Sequence, residues 1–184
     1  MSKYIRSYTQ GAFYFFTLVS YNRRKILYEV DFLKAFKSSI RQIQHQYPFE
    51  IIAWVQLPDH LHCIWKMPEN DADYSMRWSQ IKRLTTQACP QYQLSIDELS
   101  HSKVKRYEKG IWQRRFFEHQ IRDEADFVKH MDYLHYNPVK HGLVEKVVDW
   151  PYSSFHRCVR QGFYSEDWGG SSMDFSKHFS DKLE

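Results

Sequence analysis

The sequence is poor in the features that define several common classes of protein. Its three cysteines, Cys63, Cys89 and Cys158, are odd in number, widely spaced and free of any Cys-x-x-Cys pair. This argues against a disulfide framework or a thiolate zinc site and favours a reducing compartment. Only six glycines and six prolines occur among 184 residues, which argues against a low-complexity or fibrous protein.

Long apolar runs are also missing. No stretch approaches the roughly 20 apolar residues that a membrane-spanning helix needs. The opening residues, MSKYIR, lack the apolar core of a signal peptide. We therefore expect a cytoplasmic protein with no membrane partner.

What is present fits one compact domain. Hydrophobic residues make up 42% of the chain, enough for a real core, and we expect a domain over 1–161 with a Gly/Ser-rich tail over 162–184. That tail is expected to fold over the core and limit access to the site. The excess of 26 basic over 22 acidic residues is mild, so charge permits a nucleic-acid partner without demanding one.

Hydrophobic periodicity predicts an alternation of strands and helices. The predicted order is strand, helix, strand, strand, helix, strand, helix, an α+β chain with a ferredoxin-like β-α-β-β-α-β core and an added C-terminal helix that carries the tyrosine. Residues 89–109 are polar and read as a surface insertion. The predicted strands are 12–20, 49–57, 60–67 and 111–121, and the predicted helices are 32–45, 75–88 and 123–136, with a further short helix at 153–160.

A His-x-His pair begins the third predicted strand. Residues i and i+2 of a strand point to one face, so His60 and His62 project together while Leu61 points into packing. Two neutral imidazoles so placed can hold a divalent metal. Two ordinary histidines near a strand end would give the same pattern, and Asp59 is expected to serve the preceding turn.

The last long helix carries a second group of polar residues. At about 100° per residue, Met131 and Leu134 fall on the core side, and Tyr133 and Asn137 lie one turn apart on a neighbouring face. A phenol can attack a phosphodiester that a metal polarises, and an amide oxygen can bind Mg²⁺ or Mn²⁺. A packing tyrosine and a helix-ending Asn137-Pro138 would fit the spacing equally well.

Taken in order along the chain, these segments resemble the single-tyrosine HUH transposases, and within them the REP-associated tyrosine transposases. The resemblance runs from about Tyr4 to Gly170. The segments that carry it are YIRSYTQGAFYFFTL, YNRRK, FEIIAWVQLPDHLHCIW, MRWSQIKR, IWQRRFFEHQIR, DYLHYNPVKHGLV and DWPYSSFHR.

The resemblance implies a transposase that nicks and rejoins single-stranded hairpin DNA with Mg²⁺ or Mn²⁺, through a transient 5′-phosphotyrosine. It makes Tyr133 the nucleophile and His60, His62 and Asn137 the metal ligands, although the wider group often has Gln in the third position. Glu118 and His119 are alternative or supporting ligands. A monomer is expected, with a dimer as the alternative.

Basic residues within the resembling segments are candidates for DNA contacts. They are Arg6, Arg23, Arg24, Arg77, Lys82, Arg83, Arg115 and Lys140. Trp65, Trp78 and Trp112 are expected in the core. The competing interpretations are a non-catalytic hairpin-binding protein, a nickase of the replication-initiator type and an unrelated metal phosphodiesterase.

Overall fold

The computed structural model describes residues 7–169. Four strands, β1 to β4, span Phe13–Val19, Glu50–Gln56, His60–Lys66 and Phe117–Gln120. Five helices, α1 to α5, span Val30–Gln46, Tyr74–Ala88, His101–Lys105, Glu124–Lys140 and Phe155–Arg160. Short 3₁₀ turns lie at Tyr21–Arg23, Pro90–Tyr92, Ile96–Glu98 and Val147–Asp149.

The strands form one sheet in the order β2-β3-β1-β4, with every neighbouring pair antiparallel. Together with α1 between β1 and β2, and α2 between β3 and β4, this is the predicted ferredoxin-like arrangement. The central strand β1 pairs with both β3 and β4, so residues of those two strands meet across it. Thr17 of β1, for example, lies between His62 and Phe117.

Alternation along the strands separates two apolar layers. Phe16 of β1 and Leu61 and Trp65 of β3 face α1 and α2, in a cluster that includes Phe36 and Trp78. The three tryptophans expected in the core, Trp65, Trp78 and Trp112, all lie in this cluster. On the opposite face, the strands meet α4 in a second cluster, whose members include Phe15, Val55, Ile64 and Leu134.

The fourth strand is shorter than predicted. Residues 111–116 are not a strand, although Trp112 forms an isolated bridge with Ser20 and the Gln113 amide donates to the Val19 carbonyl at 2.9 Å. The Lys82 ammonium donates to the carbonyls of Gln113 and Arg114 at 2.6 and 3.3 Å. Those carbonyls are therefore held by a side chain of α2 instead of a neighbouring strand, and the chain joins the sheet only from Phe117.

Helix α4 continues beyond its predicted end. Asp123 caps it as predicted, since its carboxylate accepts from the Asp126 amide at 2.8 Å. The helix does not stop at Asn137-Pro138 but runs to Lys140, with Pro138 inside its last turn. A proline in the last turn removes one amide donor and its ring crowds the carbonyl four residues before it, yet the His141 amide still donates to the Asn137 carbonyl at 3.0 Å. The surface insertion predicted over 89–109 contains the short helix α3.

The first residues after α5 pack on the domain. The Tyr164 hydroxyl donates to the Asp132 carboxylate of α4 at 2.7 Å, and the Trp168 ring lies 4.6 Å from that of Tyr164. The rest of the proposed tail, 170–184, and Arg6 at the other end lie outside the described residues.

Candidate active site

The His-x-His pair lies on β3, on the face covered by α4. His60 and His62 are both buried, their ring centroids are 5.0 Å apart, and the rings are nearly perpendicular. Leu61 faces the other layer. The strand thus presents two imidazoles side by side beneath a helix, as the i, i+2 spacing predicts.

Two neighbouring side chains orient these rings. The Asp59 carboxylate lies 2.7 Å from Nδ1 of His60, and Oγ1 of Thr17 lies 2.8 Å from Nδ1 of His62. With each Nδ1 engaged as the N–H donor, both Nε2 lone pairs remain available for a ligand. Asp59 was expected to serve the preceding turn, but its carboxylate turns back towards His60 and orients that ring.

Asn137 of α4 lies next to the histidine pair. Its Oδ1 atom lies 3.4 Å from Nε2 of His60, and its side chain is fully buried. Within residues 7–169, no hydrogen bond of acceptable geometry reaches Nε2 of His62 or Nδ2 of Asn137. Buried polar atoms of this kind normally have partners. Two imidazole nitrogens and an amide oxygen are donors that suit a divalent cation such as Mn²⁺ or Mg²⁺.

Tyr133 lies beside the pair. Its ring centroid is 5.2 Å from that of His62 and 5.9 Å from that of Phe15. The side chain is only 1% exposed, and the Lys140 ammonium lies 5.2 Å from the centre of its ring. The structure therefore brings together Tyr133, His60, His62 and Asn137, the four residues predicted for the centre of the site.

Burial and neighbouring charges set the protonation of two groups at the site, His62 and Asp59. Burial lowers the pKa of His62 well below its ordinary value, and the neighbouring His60, His141 and Lys140 lower it further. Burial alone would raise the pKa of Asp59, but hydrogen bonds and charge from His60 and Arg23 outweigh it and bring the value to about 2. At neutral pH the site therefore contains a neutral His62 and an ionised Asp59.

Three nearby residues were missed by the sequence analysis. Thr17 and Asp59 orient the histidines, and the His141 ring centroid lies 5.1 Å from that of His60. Asp59 could have been suspected from its place beside His60. Thr17 gave no signal, because only the strand register sets it opposite His62.

The supporting ligands that we predicted on β4 do not reach this centre. Glu118 of β4 pairs with Phe16 of β1, and paired residues share a face, so its side chain lies on the α1 and α2 side of the sheet. That prediction was wrong. His119 lies on the correct face, but its Nε2 is 2.8 Å from the Asp126 carboxylate.

His119 belongs instead to a second group of possible ligands. His119, Asp126 and His130 offer ligand atoms that all lie within 4.8 Å of one another. Their two imidazoles stack, with ring centroids 4.5 Å apart. The His130 ring also lies 4.9 Å from that of Phe15, the residue that contacts Tyr133. This cluster therefore supports α4 one turn before the tyrosine.

Several of the basic residues predicted to contact DNA have internal roles. Arg77 is 1% exposed and donates to the carbonyls of Tyr47, Asp73 and Pro48 and to the Asp71 carboxylate. A DNA contact for Arg77 does not fit this burial. Arg24 donates to the carbonyls of Tyr92 and Gly110 at 2.8 and 3.0 Å, and Lys82 holds the residues before β4.

The other basic candidates in the described part of the chain remain at the surface. Arg23, Arg83, Arg115 and Lys140 are exposed. Arg23 makes a 3.1 Å ion pair with Asp59, which places it next to His60. Lys140 lies one turn beyond Asn137 on the helix of Tyr133. These two cations are therefore the candidates that lie nearest to the histidine pair.

No described helix combines the length and apolar character that crossing a bilayer requires. The three cysteines are buried and free within the described residues. These findings agree with the sequence, in which long apolar runs and paired cysteines are missing.

The chain combines a ferredoxin-like sheet, a His-Leu-His pair and a helical tyrosine, and the comparisons identify it as a tyrosine transposase. The chain belongs to the transposase IS200-like family, whose model matches residues 9–137, and within that family to the REP-associated tyrosine transposases. It is 44% identical over 176 residues to the REP-associated tyrosine transposase of Escherichia coli (strain K12), covering 96% of both chains.

Two further comparisons agree. A protein of Haemophilus influenzae (strain ATCC 51907 / DSM 11121 / KW20 / Rd), provisionally named a REP-associated tyrosine transposase, is 47% identical over 171 residues, or 93% of this chain and 95% of the relative. The solved structure of a REP-associated tyrosine transposase bound to a REP hairpin shares 42% identity and a TM-score of 0.77, with 98% of both chains covered.

Proposed function

We propose that this transposase is a metal-dependent endonuclease and strand-transferase that acts on single-stranded DNA at REP-like hairpins. The observation that carries the proposal is the 5.2 Å between the ring centroids of Tyr133 and His62, beside the donors of His60 and Asn137. The similar protein that was solved with a REP hairpin supports the choice of substrate.

The reaction that we propose is a transfer of the phosphoryl bond. The phenol oxygen of Tyr133 forms a bond to phosphorus while the bond to the 3′-oxygen breaks. The phenol gives up its proton and the 3′-oxygen gains one. The 5′-phosphotyrosine retains the bond energy, so a 3′-hydroxyl can reverse the step and join the same strand or another.

Each residue around the phenol has a separate part in this proposal. His60, His62 and Asn137 would hold Mg²⁺ or Mn²⁺, which supplies polarisation of the scissile phosphate when bound. Asp59 and Thr17 orient the two imidazoles. Tyr133 is buried in the free protein, so its phenol must be uncovered before it can reach a phosphodiester.

The test is covalent trapping on a denaturing gel. Labelled single-stranded hairpins are incubated with the protein and Mg²⁺ or Mn²⁺, beside Tyr133→Phe and the matched control Tyr136→Phe on the same helix. We expect a metal-dependent adduct with the wild type and with Tyr136→Phe, and none with Tyr133→Phe. Hairpin binding without an adduct, across several hairpins and both metals, would favour a non-catalytic hairpin-binding protein.

We further propose that the protein acts as a monomer in the cytoplasm. Tyr133 and the histidine pair meet within one chain, so the site needs no residue from a second copy, and the buried free cysteines suit a reducing compartment. Mixing His62→Ala with Tyr133→Phe tests the monomer. The mixture should stay inactive, whereas recovered adduct formation would show a site shared between two chains.

A further inference from the structure

A basic groove lies on the α2 side of the sheet, away from the tyrosine. It has a volume of ≈ 620 Å³ and runs between the outer face of α2 and the segment from Arg106 to Phe116. Arg83 lines it from α2, and Arg106, Lys109 and Arg114 line it from the segment. All four side chains are exposed.

The positive charge of the groove is poorly compensated. Glu108 is the one acidic residue among the described lining residues, and its carboxylate already accepts from the Lys103 ammonium. The hydroxyls of Ser75 and Ser79 also line the groove, and Trp112 and Phe116 supply apolar surface. Cations and hydroxyls beside aromatic rings are the surroundings that phosphates and bases of a nucleic-acid strand require.

Tyr107 adds an unusual feature to the groove. It follows α3 with a positive φ of 58°, its amide donates to the Val104 carbonyl, and the Glu108 amide donates to the Lys103 carbonyl, both at 3.0 Å. This is the Schellman pattern that ends many helices, in which glycine is favoured at the position that Tyr107 occupies. The ring is nevertheless 86% exposed. Neither local backbone preference nor burial explains a tyrosine here, and strained positions are often functional.

The groove ends close to the histidine pair. The Gln113 amide donates to the Val19 carbonyl, and Val19 pairs with His60 on the other side of β1. Two strand spacings, about 10 Å, therefore separate the backbones of Gln113 and His60. The imidazoles and the groove lie on opposite faces of the sheet, so a DNA strand that contacts both must wrap around the end of β1.

We infer that this groove binds the single-stranded DNA next to the hairpin, with a base stacked on Tyr107 and phosphates on the surrounding cations. The volume suits about one or two nucleotides, whereas a duplex stem would need a wide, open surface. This inference rests on the proposed function, since it takes the hairpin and its flank as the substrate.

The experiment separates the flank from the stem. Binding is measured by fluorescence anisotropy in a Tyr133→Phe background, which prevents cleavage, with a hairpin that carries single-stranded flanks and the same hairpin without them. Tyr107→Gly should weaken binding of the flanked probe about 5- to 150-fold, the range expected for loss of one stacked base, and leave the other probe unchanged. Tyr107→Trp should retain the affinity.

Glycine at position 107 also controls for folding. It favours the helix end, so Tyr107→Gly should melt at or above the temperature of the parent while it binds more weakly. Phe163→Ala, which removes another exposed ring, should change neither probe. Unchanged affinity of Tyr107→Gly for the flanked probe, or an equal loss on both probes, would overturn the inference.

The charge of the groove gives a second readout. Lys109→Ala and Arg114→Ala should each reduce the slope of log K against log salt by about 0.7 for the flanked probe, the value for one contact to a single strand. Lys34→Ala on α1 is the matched control. Failure of the proposed function would appear separately, as the lack of a covalent adduct with the wild-type protein.

Discussion

Oγ1 of Thr17 lies 2.8 Å from Nδ1 of His62, across the pairing of β1 with β3. This contact fixes which ring nitrogen of a buried histidine faces Asn137. Burial holds His62 neutral, so one nitrogen carries the proton and the other is an acceptor. Under the proposed function, the hydroxyl of Thr17 therefore keeps Nε2 of His62 as the acceptor that a cation would use.

Thr17→Val should weaken metal binding without unfolding the protein. Valine keeps the branched shape but cannot accept from the imidazole, and loss of such an orienting partner commonly costs about 10- to 100-fold in metal affinity. Isothermal titration with Mn²⁺ measures the effect, and Thr17→Ser, which keeps the hydroxyl, is the control. Equal Mn²⁺ affinity of the valine and serine variants would show that the contact does not orient His62.

Asp59→Ala should act on the other histidine in the same way. The Asp59 carboxylate, whose pKa is about 2, stays ionised across the working pH range and holds Nδ1 of His60. Its removal should lower Mn²⁺ affinity about 10- to 100-fold and reduce adduct formation. Arg23→Ala removes the other partner of Asp59 and should leave metal affinity nearly unchanged. A similar loss of Mn²⁺ affinity in both variants would mean that the ion pair between Arg23 and Asp59, and not the contact of Asp59 with His60, supports metal binding.

Arg77→Ala should destabilise the fold, because Arg77 holds three backbone carbonyls and the Asp71 carboxylate from a buried position. Leaving buried acceptors without partners costs about 1–3 kcal/mol. Chemical denaturation measures the change in the free energy of unfolding. The exposed Arg83→Ala on the same helix should lose little stability. A folded, stable Arg77→Ala that binds DNA poorly would return Arg77 to the DNA-contacting residues.

Asp126 predicts a dependence of stability on pH. Burial alone would raise its pKa, but hydrogen bonds from His119 and Arg122 outweigh it and hold the pKa well below the ordinary 3.8. A carboxyl group whose pKa is lower in the folded state stabilises the fold at pH values above its pKa in the unfolded chain. That stabilisation is lost as the pH falls towards its pKa in the folded state. Asp126→Asn should therefore be less stable than the wild type at pH 7, and the difference should shrink below about pH 4.

Melting at several pH values measures this effect, with Asp123→Asn at the helix cap for comparison. Asparagine can still cap the helix, so Asp123→Asn should remain close to the wild type in stability at pH 7. A gap between Asp126→Asn and the wild type that stays constant from pH 7 to pH 3 would contradict the assignment.

The order of the strands and helices could be predicted because hydrophobic periodicity is local. The shortening of β4 could not be predicted. Residues 111–116 stay outside the strand because Lys82 binds two of their carbonyls, about 30 residues further along the chain. The extent of α4 was underestimated for a different reason. Proline was taken to end the helix, but it removes one donor in a turn that its neighbours still close.

The centre of the site was predictable in part. The spacings place His60 beside His62 and Tyr133 beside Asn137, but only the resemblance to known transposases joined the strand to the helix. Thr17 depends on strand register, which the sequence does not show. For two other predictions a usable signal was present. Neighbouring strand residues face opposite sides, so Glu118 and His119 could not both face the histidine pair. Arg77 lies on the same helical face as Tyr74 and Ile81, the buried face of α2, which argued against a DNA contact.

The continuity of α4 through Pro138 joins two properties of the enzyme. Tyr133 and Asn137 lie one turn apart on a single unbroken helix, so a displacement of this helix that uncovers the phenol also shifts the amide relative to His60. Under the proposed function, a helix movement that exposes Tyr133 and the binding of a cation at His60 and Asn137 are therefore thermodynamically linked. The factor by which a bound cation changes the affinity for DNA must equal the factor by which bound DNA changes the affinity for the cation.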